Sequence, residues 1–179
     1  MKIGGVSVSI TQVYAPTEAA SDDEIEAFYE DIERTILQYE TQQKFIIGDF
    51  TSKVGQKLQI EETQIGPHGL GTRNSRGSRL IQFAQENRLY IMNTFFKKCP
   101  SSKWTWQSPD GRTRNEIDYI LSDRRGNIRD IEVATNLKFD TDPRMVQAAV
   151  TLDCRRRYFV RSRKPEAEKI IKDIYTRPI

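Results

Sequence analysis

The feature that most restricts the fold is a short, continuous apolar run at residues 45–47, which ends in Gly48 and Asp49. The run does not alternate between apolar and polar residues, and strands of this kind are typically central and covered on both faces. Other elements must therefore pack on each side of it. Because the run ends in a carboxylate, the end of this strand is also a candidate position for chemistry.

Apolar periodicity on either side of this run predicts the neighbouring elements. Residues 6–16 alternate Val and Ile with Ser and Thr, which predicts a strand. Ser21 followed by Glu24 is a capping box, so a helix is expected over 22–39. A second helix is predicted over 75–88. Further strands are predicted over 89–96, 103–121 (a hairpin with its turn at 109–111), 128–135 and 144–152, and a short helix over 165–175.

This order of elements indicates an α/β (α+β) fold. Many strands and two long helices are typical of sheets that pack together with helices on the outside. Between the second strand and the second helix lies a long loop, 51–74, that contains four glycines. A loop of this length is usually either functional or disordered.

Charge is distributed unevenly along the chain. Residues 155–179 contain nine Lys or Arg and three Asp or Glu, whereas the whole chain has a net charge of +3. We therefore divide the chain into a domain at 1–154 and a basic tail at 155–179, which either contacts nucleic acid or is a solvated terminus.

No apolar run is long enough for a membrane span, so no membrane partner is expected. Two cysteines without metal-ligand spacing, and no secretory signal, favour an intracellular protein, nuclear or cytoplasmic.

Polar residues with possible chemical roles occur at strand ends. Asp49 ends the central strand, Asp118 interrupts an apolar strand, and Asp142 precedes the last strand, while Tyr14 lies near the end of the first. If the sheets bring these ends together, the carboxylates could bind a hard cation such as Mg²⁺. An Asp after a strand is more often a turn or cap residue. Asp118 is the most informative of them, because a carboxylate within an apolar strand is costly unless it is paired.

Five motifs in order add a resemblance to a known family. They are "VYAPT" at 13–17, "IIGDFTSKVG" at 46–55, "GLGTRNSRG" at 69–77, "WTWQSPDGRTRNEIDYIL" at 104–121 and "DPRMV" at 142–146. Together they resemble the apurinic-endonuclease-like domain of RTE-type non-LTR retrotransposons and the craniofacial development protein 2-like sequences, within the exonuclease–endonuclease–phosphatase superfamily. The resemblance implies a sandwich of two mixed β-sheets with flanking helices and Mg²⁺-dependent cleavage of DNA.

The resemblance also implies roles for individual residues. Tyr14 matches the tyrosine that contacts the scissile phosphate, Asp49 the aspartate that orients or deprotonates the attacking water, and Asp118 the aspartate that holds a catalytic histidine. Asp142 matches a metal-binding aspartate. Contacts with nucleic acid are expected from Thr51, Arg73, Asn74, Arg112 and Arg114.

Three departures from the family pattern predict an impaired site. Thr51 replaces the family asparagine, and Pro143 replaces the family histidine, which leaves His68 as the chain's one histidine, in a non-matching position. The family's N-terminal strands and its metal-ligand glutamate have no counterpart before Val6, and Glu18 is interpreted as a helix-capping charge. We expect the exposed sheet edge that results to favour self-association or a partner strand.

Two function classes remain open at this point. The first is a Mg²⁺-dependent endonuclease of retrotransposon origin, weak or inactive for lack of the His, Asn and Glu. The second is a non-catalytic nucleic-acid-binding or protein-interaction domain from a domesticated element. A fragment of an element that has no function is a third interpretation. An active nuclease needs its cation, whereas a binding module holds DNA without it and loses affinity steeply with salt.

Overall fold

The computed structural model describes residues 1–134 and 144–152. The strands are β1 (Lys2–Ile3), β2 (Val6–Tyr14), β3 (Gln43–Asp49), β4 (Tyr90–Ile91), β5 (Trp106–Gln107), β6 (Arg114–Asn115), β7 (Asp118–Ser122), β8 (Ile128–Val133) and β9 (Val146–Val150). The helices are α1 (Asp22–Gln38) and α2 (Ser75–Glu86), with 3₁₀ turns at Met92–Phe95, Pro100–Ser102 and Arg125–Asn127.

The main sheet is mixed and has β3 at its centre. Its strand order is β1-β2-β3-β7-β4, in which β2 and β3 are parallel and the other pairs antiparallel. Strands β5 and β6 form one two-stranded ribbon, and β8 and β9 form another. The central position predicted for the apolar run at 45–47 is therefore confirmed.

Apolar side chains pack on both faces of this sheet. On one face, α1 and α2 contribute residues such as Tyr29 and Phe83 to a core that includes Ile46, which is fully buried. On the other face, Phe45 packs with residues of β8 such as Ile131. Burial on both faces explains why this strand does not alternate between apolar and polar residues.

The N-terminus of α1 has the capping geometry that its sequence predicts. The Ser21 hydroxyl accepts a hydrogen bond from the Glu24 N–H at 3.3 Å, and the Ser21 N–H donates to Glu24 Oε2 at 2.8 Å. These bonds satisfy donors that a helix start otherwise leaves unpaired. The predicted helix over 22–39 is thus confirmed to within one residue.

The prediction of a strand over 89–96 is wrong beyond Ile91. The chain forms a 3₁₀ turn at Met92–Phe95, where the buried Asn93 side chain takes the place of a main-chain partner. Asn93 Oδ1 accepts from the Ile120 N–H at 2.9 Å, and Asn93 Nδ2 donates to the Asp118 carbonyl at 3.0 Å. A side chain that pairs with β7 in this way removes the need for further strand pairing.

The predicted hairpin over 103–121 exists, but its second arm is divided. β6 pairs with β5, and the chain then crosses to the main sheet, where β7 pairs with β3 and β4. Strands β8 and β9 match the predictions for 128–135 and 144–152. The predicted helix over 165–175 and the basic tail lie outside the described residues, so the division at residue 154 stays a prediction.

Candidate functional site at the end of the central strands

Strand register brings three predicted residues to one end of the main sheet. Tyr14 is the register partner of Asp49 in the parallel β2–β3 pair, and Asp49 is directly opposite Asp118 in the antiparallel β3–β7 pair. The C-terminal ends of β2 and β3 therefore meet the N-terminal end of β7. The sequence predicted this meeting only on condition that the strands pair in this order.

A cleft of about 630 Å³ lies above the row formed by Tyr14, Asp49 and Asp118. Its lining includes the row itself, the polar residues Thr51, Lys53 and Asn74, and Trp106 and Asn115 from the ribbon. Glu18 also lines the cleft and lies three residues before Ser21, the N-cap of α1, so its interpretation as a helix-capping charge stays a prediction. The hairpin thus forms one wall of the cleft, and the loop after β3 forms another.

Gly48 is required by the close approach of β2 to β3. Its φ of 146° lies in a region that favours glycine, and a Cβ at this position would lie 1.9 Å from the Val13 carbonyl oxygen. No side chain fits there without displacement of the backbone. The glycine before Asp49 therefore allows the two strands to pair up to the last residue of β3.

Asp49 is half-buried and held by its own loop. The Thr51 N–H donates to Asp49 Oδ1 at 2.7 Å. Burial raises the pKa of Asp49, and this hydrogen bond opposes the rise. One carboxylate oxygen is thus fixed by the backbone.

Asp118 faces Asp49 across the strand pair. Residues directly opposite in an antiparallel pair have Cβ atoms about 4.5–5.5 Å apart. Burial raises the pKa of Asp118, a hydrogen bond from Thr105 opposes the rise, and the charge of Asp49 adds to it. Burial thus favours the protonated form of both carboxyl groups, and a bound cation would favour their ionised forms.

Tyr14 and Thr51 differ in how free their hydroxyl groups are. The Tyr14 side chain is 75% exposed at the rim of the cleft. The Thr51 hydroxyl donates to the Pro16 carbonyl at 2.8 Å, which ties the loop after β3 to the end of β2. Thr51 has a φ of 46°, a left-handed conformation that is unusual for a β-branched residue.

Arg73 and Asn74 are both engaged in holding the 51–74 loop. The Arg73 guanidinium forms an ion pair with Glu62 and donates to the Val54 carbonyl at 3.0 Å. Asn74 Oδ1 caps α2 by accepting from the Gly77 N–H at 2.8 Å, and it also accepts from the Lys53 N–H at 3.0 Å. Glu62 has its pKa lowered to about 2, mainly by the hydrogen bond from Arg73. The contacts with nucleic acid expected from Arg73 and Asn74 stay predictions beside these internal ones.

The hairpin arginines Arg112 and Arg114 are more exposed to solvent than Arg73. Arg112 lies in the β5–β6 turn with 87% of its side chain exposed. Arg114 stacks on Trp104, with its guanidinium carbon 4.6 Å from the ring centroid. Arg144, which the sequence did not single out, lies 3.2 Å from the centroid of a Trp104 ring, and burial and the charge of Arg114 lower its pKa. This cluster places two guanidinium groups against the buried Trp104 side chain.

A buried polar network supports the strand that bears Asp118, and sequence analysis missed it. Lys103 Nζ lies 3.6 Å from Glu116 Oε1 and donates to the carbonyls of His68 and Asn93 at 2.5 and 2.9 Å. Glu116 Oε2 accepts from the Leu70 N–H at 3.2 Å. Burial raises the pKa of Glu116 and lowers that of Lys103, and each partner's charge opposes the other's shift. Nothing in the spacing of these residues indicates that they meet.

The predicted metal ligand Asp142 and its neighbour Pro143 lie outside the described residues. Within 1–134 and 144–152, no three or more His, Cys, Asp or Glu side chains are grouped closely enough to hold a metal ion. The same part of the chain has no helix that is both long and apolar enough to span a membrane. The Mg²⁺ prediction therefore rests on Asp49 and Asp118 together with Asp142, which lies outside the described residues.

Solved structures identify the arrangement of these sheets and helices. A variant of the 3′ phosphatase NExo from Neisseria, solved with a product DNA hairpin, aligns with a TM-score of 0.60 and 16% identity over 82% of this chain and 62% of its own. The endonuclease domain of TRAS1, a telomere-specific non-LTR retrotransposon, aligns with a TM-score of 0.50 and 19% identity over 72% of this chain and 52% of its own. An endonuclease/exonuclease/phosphatase family protein from Leptotrichia buccalis gives a TM-score of 0.58 at 14% identity, over 84% of this chain and 50% of its own. The chain has the endonuclease/exonuclease/phosphatase fold.

A sequence relative agrees with this fold. Over 120 residues, 66% of this chain, the sequence is 42% identical to craniofacial development protein 2 of Bos taurus, of which the match covers 20%. The chain thus spans about a fifth of the length of the curated relatives it matches. No family model matches the sequence. The family resemblance of the five motifs and the α/β (α+β) fold class are therefore confirmed. Of the two mixed sheets that the resemblance implies, the described residues form one, and the layer on its other face is the antiparallel β8–β9 pair.

Proposed function

We propose that this chain is an endonuclease-like domain whose cleft binds the phosphodiester backbone of DNA and hydrolyses it weakly. The observation that carries this proposal is the row of Tyr14, Asp49 and Asp118 at one edge of the sheet, under a cleft open to solvent. The NExo neighbour was solved with a DNA hairpin, and the TRAS1 neighbour is the endonuclease domain of a retrotransposon. The first supports nucleic acid as the ligand and the second a retrotransposon origin. We also propose a nuclear or cytoplasmic location.

The facing carboxylates fit a divalent cation. Mg²⁺ prefers oxygen ligands and is often bound by one or two carboxylates with water completing its shell. Asp49 and Asp118 supply two such groups on facing strands, and we propose Asp142 as a third. When bound, the cation would offset negative charge on the phosphate.

The remaining roles follow from the protein's own geometry. Because Asp49 Oδ1 is held by the Thr51 N–H, the other carboxylate oxygen is the one available to accept a proton from an attacking water. The exposed Tyr14 hydroxyl can donate a hydrogen bond to a phosphate oxygen. Lys53, which also lines the cleft, adds positive charge near the same position.

The reduced rate in this proposal comes from the missing imidazole. The chain's one histidine, His68, is outside the cleft lining, and its main chain is bonded to Thr94 and Lys103. The family position after Asp142 is Pro143, which has no side-chain donor or acceptor. Loss of a general acid–base group typically costs about 10²–10⁴-fold in rate.

Plasmid nicking tests the proposal. Purified protein is incubated with supercoiled plasmid and Mg²⁺, with and without chelator, beside Asp49→Ala, Asp118→Ala and the matched control Asp31→Ala on the exposed face of α1. We expect slow nicking by the wild type and the control, and none by the two cleft variants or with chelator. Nicking that persists in Asp49→Ala would show that this cleft is not the site.

Binding without cleavage is the second candidate, favoured by Trp106 in the cleft lining and by the exposed Arg112 in the turn of the same hairpin. Guanidinium groups and aromatic rings contact single-stranded nucleic acid by charge and stacking. This candidate predicts DNA binding that is unchanged by chelator and no nicking above the Asp49→Ala background. Nicking that requires Mg²⁺ and Asp49 supports the endonuclease, whereas DNA binding without such nicking supports the second candidate.

A further inference from the structure

The cleft has more acidic than basic side chains in its lining. Glu18, Asp49 and Asp118 contribute carboxyl groups, and among the described residues Lys53 is the one lining residue with a cationic side chain. A phosphodiester is itself an anion, so ionised carboxylates repel it. In the described part of the cleft, Lys53 is therefore the side chain that can offset this repulsion.

The Lys53 ammonium does not pair with these carboxylates. Lys53 is absent from the ion pairs of the described residues, so its Nζ lies more than 4.0 Å from the carboxylate oxygens of Asp49 and Asp118. Opposite charges thus line one cleft of about 630 Å³ with space between them. A phosphate in this space can contact the ammonium without breaking an ion pair between these residues.

The main chain of Lys53 is held at both of its polar groups. The Lys53 N–H donates to Asn74 Oδ1 at 3.0 Å, and the Asn74 N–H donates to the Lys53 carbonyl at 3.1 Å. Gly77 of α2 packs so closely that a Cβ there would lie 1.9 Å from the Lys53 carbonyl oxygen. Because Asn74 Oδ1 also caps α2, the helix start fixes the backbone of Lys53. A residue held in this way has less conformational freedom to lose when it binds a ligand.

We propose that Lys53 is a catalytic residue that contacts the scissile phosphate, and that Asn74 is its positioning residue. The proposal rests on the proposed function of the cleft. It assigns to Lys53 part of the charge stabilisation that Pro143 cannot supply in place of the family histidine. It also gives Asn74 a role other than the direct contact with nucleic acid that the sequence predicted.

The step that Lys53 assists is displacement at phosphorus. A water oxygen forms a bond to phosphorus while the bond from phosphorus to one sugar oxygen breaks. One proton of the water passes to Asp49, which later returns it to solvent, and the departing sugar oxygen takes a proton from solvent. Lys53 Nζ donates a hydrogen bond to a non-bridging phosphate oxygen and keeps its own protons. Removing one such preorganised donor typically costs about 10²–10³-fold in rate.

Two measurements test Lys53: the plasmid nicking rate at saturating protein with Mg²⁺, and the salt dependence of DNA binding in chelator. Lys53→Met removes the charge and keeps a long apolar side chain, whereas Lys53→Arg keeps a cation. We expect Lys53→Met to lower the nicking rate about 10²–10³-fold and the salt slope by about 1. Lys53→Arg should keep the wild-type slope and part of the rate. Lys57→Met, in the same loop but outside the cleft lining, is the matched control and should match the wild type.

A double-variant cycle tests Asn74 separately from its effect on folding. Asn74→Ala removes the cap of α2 and the acceptor for the Lys53 N–H, so it should lower the nicking rate by up to about 10²-fold. In the Lys53→Met background the same change should have no further effect on the rate, because the group that Asn74 positions is gone. An equal loss in both backgrounds would overturn the positioning role.

The outcomes for Lys53 separate this proposal from the proposed function. Lys53→Met with the wild-type salt slope, Lys53→Met with the wild-type nicking rate, or equal losses in Lys53→Met and Lys57→Met would each overturn it. Nicking that requires Asp49 but not Lys53 would leave the proposed function in place. A wild type without Mg²⁺-dependent nicking would overturn the proposed function and the catalytic role together, and the salt slope would still decide whether Lys53 contacts phosphate.

Discussion

At the scale of single residues, the facing carboxylates Asp49 and Asp118 connect function with stability. Burial raises the pKa of both, so their protonated forms are favoured in the folded state relative to the unfolded state. The stability from such groups is present below the unfolded-state pKa and is lost as the pH rises through the folded-state pKa. The ionised pair should therefore destabilise the folded protein at pH 7.

The first prediction concerns this pair. Asp118→Asn should raise Tm at pH 7 by about 2–4 °C, the shift that ~1 kcal/mol gives in a chain of this size, because it removes a half-buried charge. The gain should shrink towards pH 3, where the wild-type carboxyl is protonated. Thermal melts at both pH values measure this, with Asp31→Asn on the exposed face of α1 as the control. An equal gain at pH 3 and pH 7 would contradict the electrostatic explanation.

The second prediction concerns the backbone at Thr51. Its φ of 46° suits asparagine better than threonine, because β-branched residues are strained in the left-handed region. Thr51→Asn should raise the free energy of unfolding by about 1 kcal/mol, since the strain is relieved and an amide can still donate to the Pro16 carbonyl. Thr51→Val keeps the branched shape without the hydroxyl and should lower it by about 1 kcal/mol. Urea denaturation that gives the same stability for both variants would rule out this explanation.

At the scale of elements, the buried Lys103–Glu116 pair joins the 51–74 loop to the start of β7. Lys103 donates to the His68 carbonyl, and Glu116 accepts from the Leu70 N–H. Because Glu116 lies two residues before Asp118, the pair attaches the loop to the chain next to Asp118. A buried charge left without its partner is strongly destabilising. The position of Asp118 should therefore depend on both members.

The third prediction tests this element. Lys103→Met should lower the free energy of unfolding by about 3–5 kcal/mol, and adding Glu116→Gln should recover part of the loss by removing the unpaired charge. Urea denaturation of the single and double variants measures the coupling. The control is Arg34→Met, which breaks the exposed pair with Asp31 and should cost less than about 0.5 kcal/mol. Additive losses in the double variant would contradict the coupling.

At the scale of the whole molecule, the β5–β6 hairpin adds positive charge beside the cleft. Arg112 lies in the hairpin turn and Arg114 lies on β6, next to Asn115 of the cleft lining. Nucleic-acid binding at the cleft should therefore depend on ionic contacts and weaken as the salt concentration rises.

The fourth prediction uses this salt dependence. Arg112→Ala and Arg114→Ala should each reduce the salt slope of DNA binding by about 1, because each removes a contact with phosphate. Fluorescence anisotropy over a range of salt concentrations measures the slope, with Arg34→Ala on α1 as the control. Slopes that match the wild type in both hairpin variants would exclude these arginines from the interface.

The sequence alone determined the local elements and the identity of the fold. The Ser21–Glu24 capping box set the start of α1, and the unalternating run at 45–47 indicated a central strand because burial on both faces requires it. The ordered motifs around Asp49 and Asp118 pointed to the fold that the solved structures share. All of these signals involve a few neighbouring residues or the order of the motifs, so they can be recognised in the sequence alone.

Only the tertiary structure decided which side chains meet. The register of β3 and β7 placed Asp49 opposite Asp118, and the turn at Met92–Phe95 replaced a predicted strand because Asn93 bonds to β7. Arg73 became the partner of Glu62 within the loop, and Lys103 that of Glu116. Such contacts join residues far apart in the chain, and their free energy depends on burial and register. Local sequence patterns do not encode either quantity.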